Sequence, residues 1–536
     1  MNARGGGGYL LFFGAAVATV LVMIEASDST RNRAWARLYA VLAVSALLCV
    51  LGARILGPSD AWDQTQPVTI AYTTDMLVNG RWIVPADHHG KPATKPPLYN
   101  WLAAPAVAAA GHASELAHKL PSVVALVLCF VVVVVLGHRV IPGATTNGAG
   151  WLAGVMFVAN YTIFKLGYLA RPDMLLVLWM LLGWAAATAL LVPRDDVRRR
   201  WLALAFWGCV GLAAMTKGPA ALPLVLYAIV APRLVTGRWG ASRVFGWSWG
   251  PALALVGISA WLYAVWRTAP DHMTEALLWR EIVGHVTGIG PSPHGPMALI
   301  TTAADMPWYY VARFEPWCIF AIAAAGRLWT RSAAAGPRRW QSMGPRGVWL
   351  HGVVIFVVLM IATYTLVANK RADYLAPVYA PSTLLAAWWL LQAPSWRRWL
   401  PVVFAPAALA CLVIYNTLEP SAPFRGFGNT ITDFAGVVDA HVEADPAPVV
   451  CWNTGITHFE SFLSYTGGTD AHAVAETIEM GRPFWLVVGS WATMTSEQHL
   501  HQFRTDMDVT EACRSRLVPY SKYWPLEAVL YRVEPN

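Results

Sequence analysis

The sequence predicts an all-α polytopic membrane protein of about twelve transmembrane helices, closed by a small soluble α/β domain. Three observations predict it. Of the 536 residues, 56% are hydrophobic and only 13% are charged, whereas soluble domains carry about 25% charged residues. Apolar runs of bilayer-spanning length recur up to residue 416. From 417 onward the composition turns to that of a soluble domain. A chain this apolar must bury its helices in lipid or in other subunits. The 28 tryptophans agree, because an indole favours the bilayer–water boundary.

The apolar runs fall at 9–24, 38–56, 118–137, 150–166, 173–192, 201–215, 219–232, 247–266, 307–325, 349–368, 375–391 and 399–416. The first lacks a small-x-small cleavage site, so 1–37 is expected to hold a retained extra helix and a cytoplasmic linker. Residues 38–416 form the main membrane unit, with long loops at 57–98 and 267–306. The stretch 99–111 is too short to span and reads as a re-entrant or interfacial helix. Within 417–536 the runs 448–452, 484–488 and 527–533 alternate or cluster as buried strands do, and helices are expected near 457–464 and 495–505.

The net charge of +8 comes almost entirely from arginine. Nucleic-acid binding is excluded, because the arginine clusters are short and separated by apolar runs. Arg31, Arg33 and Arg37; Arg194 and Arg198 to Arg200; Arg233, Arg238 and Arg243; Arg327, Arg331, Arg338, Arg339 and Arg346; and Arg397 with Arg398 all thread to one side, which makes that side cytoplasmic. The opposite side, periplasmic in an inner membrane, receives both long loops and everything after 417. It also collects Lys91, Lys95, Lys165, Lys217, Lys370 and Lys522, leaving only Lys119 inside an apolar run. Cys451 and Cys513 lie in the polar C-terminal region, and an oxidising compartment leaves their pairing open.

Ionisable residues set against span ends on one face point to function. Asp63 follows a span end and suits a base that deprotonates an acceptor hydroxyl beside a lipid-anchored donor. Lys95 precedes Pro96 and Pro97, a stiff presentation of an ammonium. Asp173, in Ala170-Arg171-Pro172-Asp173, starts another span. Thr216-Lys217-Gly218-Pro219 and Lys370-Arg371-Ala372-Asp373 follow on the same face. Two acids, Asp63 and Asp173, with the cations Lys95, Arg171, Lys217, Lys370 and Arg371 can hold a phosphate headgroup and a sugar.

These stretches in this order, with Lys95-Pro96-Pro97-Leu98 and Trp101 the most specific, resemble the protein mannosyltransferase and aminoarabinose transferase group. The resemblance covers roughly residues 38–391 and implies the GT-C fold and transfer of a sugar from a polyprenyl-phosphate donor, with inversion at the anomeric carbon. It implies that Asp63 is the base or orients the acceptor, that Asp173 positions donor or acceptor, and that Lys95, Lys370 and Arg371 hold the lipid phosphate. The chain departs from the family at Gln64 and Thr94, where relatives carry glutamate. The second of these can serve a metal site in aminoarabinose transferases.

The bland readings are helix capping for Asp63, Asp173 and Lys217, and anchoring to bulk anionic lipid for Lys95, Lys370 and Arg371. The sequence establishes no cofactor and leaves a divalent metal open. Glu281 and His285, at i,i+4 spacing, are weak candidates for a divalent metal, with His88, His89, His272 and His294 read as loop histidines. The partners expected are a polyprenyl-phosphate sugar and membrane lipid; lipid A, another lipid, a glycan or a protein would accept the sugar. The competing readings are a transporter or flippase for a lipid-linked intermediate, and a lipid-binding scaffold. A transporter expects mid-membrane charges and inverted repeats, neither of which the sequence displays.

Overall fold

Long apolar stretches free of internal breakers fold as helices because lipid satisfies no backbone polar group. The computed structural model describes residues 28–57, 61, 65–87, 90–112, 114–141, 148–193, 195–237, 239–274, 302–334, 344–367, 370–392, 398–418, 430–452, 476–490, 507–516 and 527–535. The apolar run 9–24 and the two helices expected at 457–464 and 495–505 lie outside these residues.

The helices are α1 (Asp28–Ile55), α2 (Gln66–Val78), α3 (Leu98–Ala110), α4 (Glu115–Val140), α5 (Ala149–Val158), α6 (Tyr161–Leu166), α7 (Asp173–Leu190), α8 (Asp196–Lys217), α9 (Leu222–Thr236), α10 (Gly250–Thr268), α11 (Asp305–Arg313), α12 (Trp317–Ala334), α13 (Pro345–Thr365), α14 (Ala376–Leu391), α15 (Leu400–Leu418) and α16 (Thr430–Ala444). Among the described residues, five stretches are long and apolar enough to cross a membrane: Asn32–Ile55, Glu115–Val140, Asp173–Leu190, Asp196–Val235 and Pro345–Thr365. The fourth is bent by a 3-10 turn at Gly218–Ala221, so α8 and α9 run in opposite directions. Side chains on both lie against Gly183, Cys209 from α8 and Leu224 from α9.

Four features depart from the expectation. Helix α1 is already formed at Asp28, ahead of Arg31, Arg33 and Arg37, because nothing between 28 and 38 breaks a helix. The run 150–166 is two helices, interrupted at Ala159 and Asn160. The run 307–325 is also two, interrupted between Arg313 and Trp317. The loop 57–98 contains a helix, α2, whose start Gln66-Pro67 carries proline where a missing N–H costs nothing.

Helix α7 lies inside the bundle against α4, α8 and α14, while α8 also packs on α10, α12 on α14, and α1 on α5. Helices α4 and α5 meet through glycine: a Cβ on Gly137 would fall 2.6 Å from Gly150 Cα. Direct backbone approach of this kind is how membrane helices gain contact without a hydrophobic drive.

The contacts also fix the two ends. Asp173 starts α7 beside Lys217, the end of α8, so Arg198, Arg199 and Arg200 at the start of α8 lie at the far end. Gly352 of α13 accepts from Trp184 deep in α7, and Tyr364 reaches Tyr374 with ring centroids 5.0 Å apart. Arg346 therefore joins the far end. Arg398 does too, its carbonyl accepting from Tyr39.

Near the C-terminus, β1 (Val449–Trp452), β2 (Phe484–Ser490), β3 (Met507–Arg516) and β4 (Glu527–Pro535) form one sheet in the order β1-β2-β4-β3. The β1–β2 pair is parallel and the other two are antiparallel. One face, with Val449, Cys451, Trp485, Val487 and Leu530, is covered by Phe434, Ala435, Val438 and Val442 of α16. That same apolar cluster takes in Ala61, Ile70 and Ala170 of the bundle, which seats the sheet and α16 at the Asp173 end. Cys451 and Cys513 form no disulfide with each other. Cys451 is on β1 and Cys513 on β3, the two outer strands, and three strand spacings of about 4.8 Å exceed what a disulfide spans. Burial, followed by the Glu511 carboxylate, pushes the Cys513 thiol up, so it stays protonated.

Candidate active site

At the end of the bundle opposite Arg198 to Arg200, Arg346 and Arg398, four short segments converge. Asp173 is the first residue of α7, where a carboxylate is favoured by the helix dipole. Lys217 ends α8, because Gly218 at φ 56°, ψ −122° adopts a backbone that a side chain resists. Arg171 precedes Pro172 in the turn before α7, and Asp373 lies in the 3-10 turn Ala372–Leu375 that leads into α14.

These side chains form one network. Lys217 Nζ donates to Asp173 Oδ1 at 2.5 Å, and Arg171 pairs with Asp173 Oδ2 at 2.9 Å. Arg171 also reaches Asp373 at 3.6 Å, and Arg371 reaches the same carboxylate at 3.8 Å. The Lys217 ammonium sits 5.4 Å from the Tyr374 ring centroid, and the Lys95 charge acts on Asp173 as well. Asp173 and Arg171 are both buried, each with 4% of its side chain exposed. Counting charges, Arg171, Lys217, Arg371 and Lys95 oppose Asp173 and Asp373, which leaves two positive charges in excess. A doubly charged phosphate matches that excess.

The turn carrying Arg171 is held from several sides. Ser122 Oγ donates to the Leu169 carbonyl at 2.6 Å, Tyr99 OH donates to the same oxygen at 3.1 Å, and Gln66 Oε1 accepts from Ala170 N at 2.8 Å. Tyr168 lies between two cations, with Lys119 4.4 Å and the Arg54 guanidinium 5.6 Å from its ring centroid. Lys119 itself is fully buried and paired with Glu115. The first loop is stitched down in the same way. Trp261 Nε1 donates to the Ile83 carbonyl at 3.0 Å, Trp101 Nε1 to the Trp82 carbonyl at 2.9 Å, and His272 Nε2 lies 2.9 Å from the Ala93 carbonyl. These ties hold the chain just before Lys95.

Of the residues singled out in the sequence, Asp173, Arg171, Lys217, Arg371 and, through its charge, Lys95 come together. Lys370 turns elsewhere, donating to Thr302 Oγ1 at 2.7 Å. Lys217 is an ion-pair partner as well as the last residue of its helix. Asp63, Gln64, His88, His89, Glu281, His285 and His294 lie outside the described residues. Among the described residues no group of three metal-ligating side chains forms. Asp373, Tyr374 and Gln66 are network members that the motif reading passed over. Asp373 and Tyr374 stood inside a quoted motif, whereas nothing in the sequence marked Gln66.

Residues 80–273 match the family model described as dolichyl-phosphate-mannose-protein mannosyltransferase. The undecaprenyl phosphate-alpha-4-amino-4-deoxy-L-arabinose arabinosyl transferase of Pectobacterium atrosepticum is 25% identical over 402 residues, covering 70% of this chain and 65% of that one. The enzyme of the same name from Erwinia tasmaniensis is 25% identical over 337 residues, or 60% of this chain and 54% of the relative. The chain thus spans less than two thirds of the length of these curated relatives. In three dimensions it is similar to the crystal structure of ArnT from Cupriavidus metallidurans bound to undecaprenyl phosphate. The TM-score is 0.65 at 16% identity, over 93% of this chain and 98% of the other. The apo crystal structure of the same protein gives a TM-score of 0.60. The expected resemblance is therefore borne out: the chain is similar in sequence to the protein mannosyltransferase and aminoarabinose transferase group and shares its fold.

Proposed function

We propose that the chain is a glycosyltransferase that moves a sugar from a polyprenyl-phosphate donor to an acceptor on the periplasmic face of a cell inner membrane. The observation that carries the reading is the Asp173–Lys217–Arg171–Asp373 network, buried at Asp173 and Arg171, to which Arg371 and Lys95 add two positive charges in excess, at one end of a largely apolar bundle. Likeness to enzymes named for undecaprenyl-phosphate donors supports the same donor class here. In this reading about twelve helices span the membrane, 38–416 is the catalytic unit, and 417–536 is a periplasmic α/β domain. The arginine-rich end is cytoplasmic.

Arg171, Lys217, Arg371 and Lys95 would bind the donor phosphate and stabilise the charge that builds on it as the glycosidic bond breaks, the larger share of the rate enhancement. Asp173 holds Lys217 and Arg171 in place and orients hydroxyls of sugar or acceptor. Asp63 takes the proton of the attacking acceptor group, and direct displacement inverts the anomeric carbon. Modification of lipid A is one outcome of such a transfer, and a glycan or protein acceptor fits the same chemistry.

Mass spectrometry of lipid extracts and envelope glycans tests this in cells with the intact protein, a deletion, and Asp63→Asn. Both altered strains should accumulate one polyprenyl-phosphate sugar and lose one glycan modification. An Asp63→Asn profile identical to wild type, with a changed deletion profile, would move the assignment to transport of the lipid-linked intermediate or to a scaffold.

A further inference from the structure

Glu315, in the break between α11 and α12, stands far from either end of the bundle. Helix α1 gives the scale. Its Tyr39 donates to the Arg398 carbonyl at the arginine end, and its Arg54 donates to the Tyr168 carbonyl beside the ion-pair network. Ala36 and Arg54 are therefore about 27 Å apart along the helix axis. A Cβ on Gly148 would fall 2.7 Å from Ala36 Cα, so Ala159, at the far end of α5, stands about 16 Å above that level. Trp317 donates to the Ala159 carbonyl and Asn160 to the Arg313 carbonyl, which puts Glu315 at the same height. That is near the middle of a hydrocarbon layer about 30 Å thick. Glu315 is exposed there, and among the described residues it pairs with no cation. The exposed face continues along both helices. Val311, Ile319, Ile322, Gly326 and Trp329 recur every three or four positions and are all exposed, and a Cβ on Gly326 would meet nothing within 4 Å. Lipid solvates such an apolar stripe, but a lone carboxylate at its centre is costly. Two positions earlier, Arg313 is half-buried, its guanidinium 4.8 Å from the Tyr161 ring centroid.

We propose that the stripe through Glu315 is the contact face of a parallel two-fold dimer, in which Glu315 of each copy pairs with Arg313 of the other. Opposite charges two positions apart at one depth are self-complementary about an axis normal to the membrane. Each copy supplies one acid and one base, so both pairs close and no carboxylate is left facing lipid. Polar contacts hold membrane helices together where lipid offers no hydrophobic drive, and Gly326 lets the two α12 backbones approach closely. Helix α10 is the contrast: its exposed Leu255 and Val256 lie on a helix without an acid, so nothing there asks for a partner. The inference is independent of the transfer chemistry and rests on α11 and α12 together crossing the membrane.

The test compares the full-length chain with Glu315→Arg and Arg313→Glu, each carrying its own tag, by light scattering in mild detergent. Wild type should be dimeric and each variant alone monomeric, because either homodimer then opposes like charges. Co-expression of the two variants should restore a mixed dimer recovered through both tags, since every charge again meets its opposite. Oxidative cross-linking in native membranes reads the same face with both charges intact. In a variant lacking native cysteines, Ile322→Cys should form a disulfide between copies, and Val256→Cys on α10 should not. No self cross-link at position 322 overturns the proposal, whatever the state in detergent, and so does a wild-type dimer indifferent to both charge changes. Two monodisperse variants that stay monomeric on co-expression overturn the reciprocal pairing. Cross-linking of Ile322→Cys to a different protein overturns it too, and gives the face to another membrane helix.

Discussion

Asp173 is one carboxylate between two cations, Lys217 at 2.5 Å and Arg171 at 2.9 Å, and its environment makes removal of any partner costly. Breaking a buried pair by deleting one member costs about 3–5 kcal/mol, because the remaining charge stays desolvated. Asp173→Asn should therefore lower both the thermal stability of the purified protein and its transfer rate. Lys217→Met in the Asp173→Asn background should cost less than in wild type. A double-mutant cycle on thermal unfolding that shows coupling below about 0.5 kcal/mol would mean that the two side chains are not energetically paired. At this scale the sequence was informative where a motif joins an acid to a nearby cation, as in Arg171-Pro172-Asp173. It placed Lys217 among the cations of this face but gave no sign of its partner, because the residue ends its helix as a capping residue does and yet turns its ammonium to a carboxylate 44 positions away. It was silent on Gln66, since an amide carries no charge pattern.

Among the elements, the α4–α5 crossing depends on glycine at both positions of closest approach. A Cβ on Gly150 would lie 2.1 Å from the Val134 carbonyl oxygen, a contact that backbone must move to relieve. Gly150→Ala should thus separate the two helices and cost about 1–3 kcal/mol of stability. Thermal unfolding in detergent would register this as a lowered midpoint, whereas Gly52→Ala, with open space around its Cβ, should behave as wild type. Most spans were legible from apolar runs alone, because length and composition decide them. The interruption inside 150–166 was not, since Asn160 is a lone polar residue beside Ala159; the one inside 307–325 was marked by Arg313, Glu315 and Pro316, which a reading by apolar runs passes over. Strand β3 was missed for the opposite reason: Met507–Arg516 is polar along most of its length, and it earns its place by pairing with β4.

For the molecule as a whole, Arg198 to Arg200, Arg346 and Arg398 lie at one end of the bundle and the ion-pair network at the other, and the C-terminal sheet sits with the network. The sidedness read from arginine distribution makes this a topological prediction. In a variant lacking native cysteines, Lys91→Cys on the first loop should react with a membrane-impermeant maleimide in intact cells. Arg198→Cys, at the exposed start of α8, should react only after the membrane is opened. Labelling of both in intact cells would refute the single-sided arrangement. The end of the bundle that holds the ion-pair network was readable in advance because ionisable residues gather there. The seating of α16 on Ala61, Ile70 and Ala170 was not, because small apolar residues in a loop give no sign of what covers them.

The two helix interruptions satisfy each other. Trp317 Nε1 donates to the Ala159 carbonyl at 2.9 Å, and Asn160 Nδ2 donates to the Arg313 carbonyl at 2.7 Å. Each broken helix supplies the side chain that quenches the other's exposed carbonyl, so neither break is tolerable by itself inside lipid. Inheritance of the two segments should consequently be joint. A chimera that takes residues 155–165 from a relative with an unbroken helix there, and leaves 310–320 untouched, strands the Arg313 carbonyl. Exchange of both segments together keeps the arrangement whole.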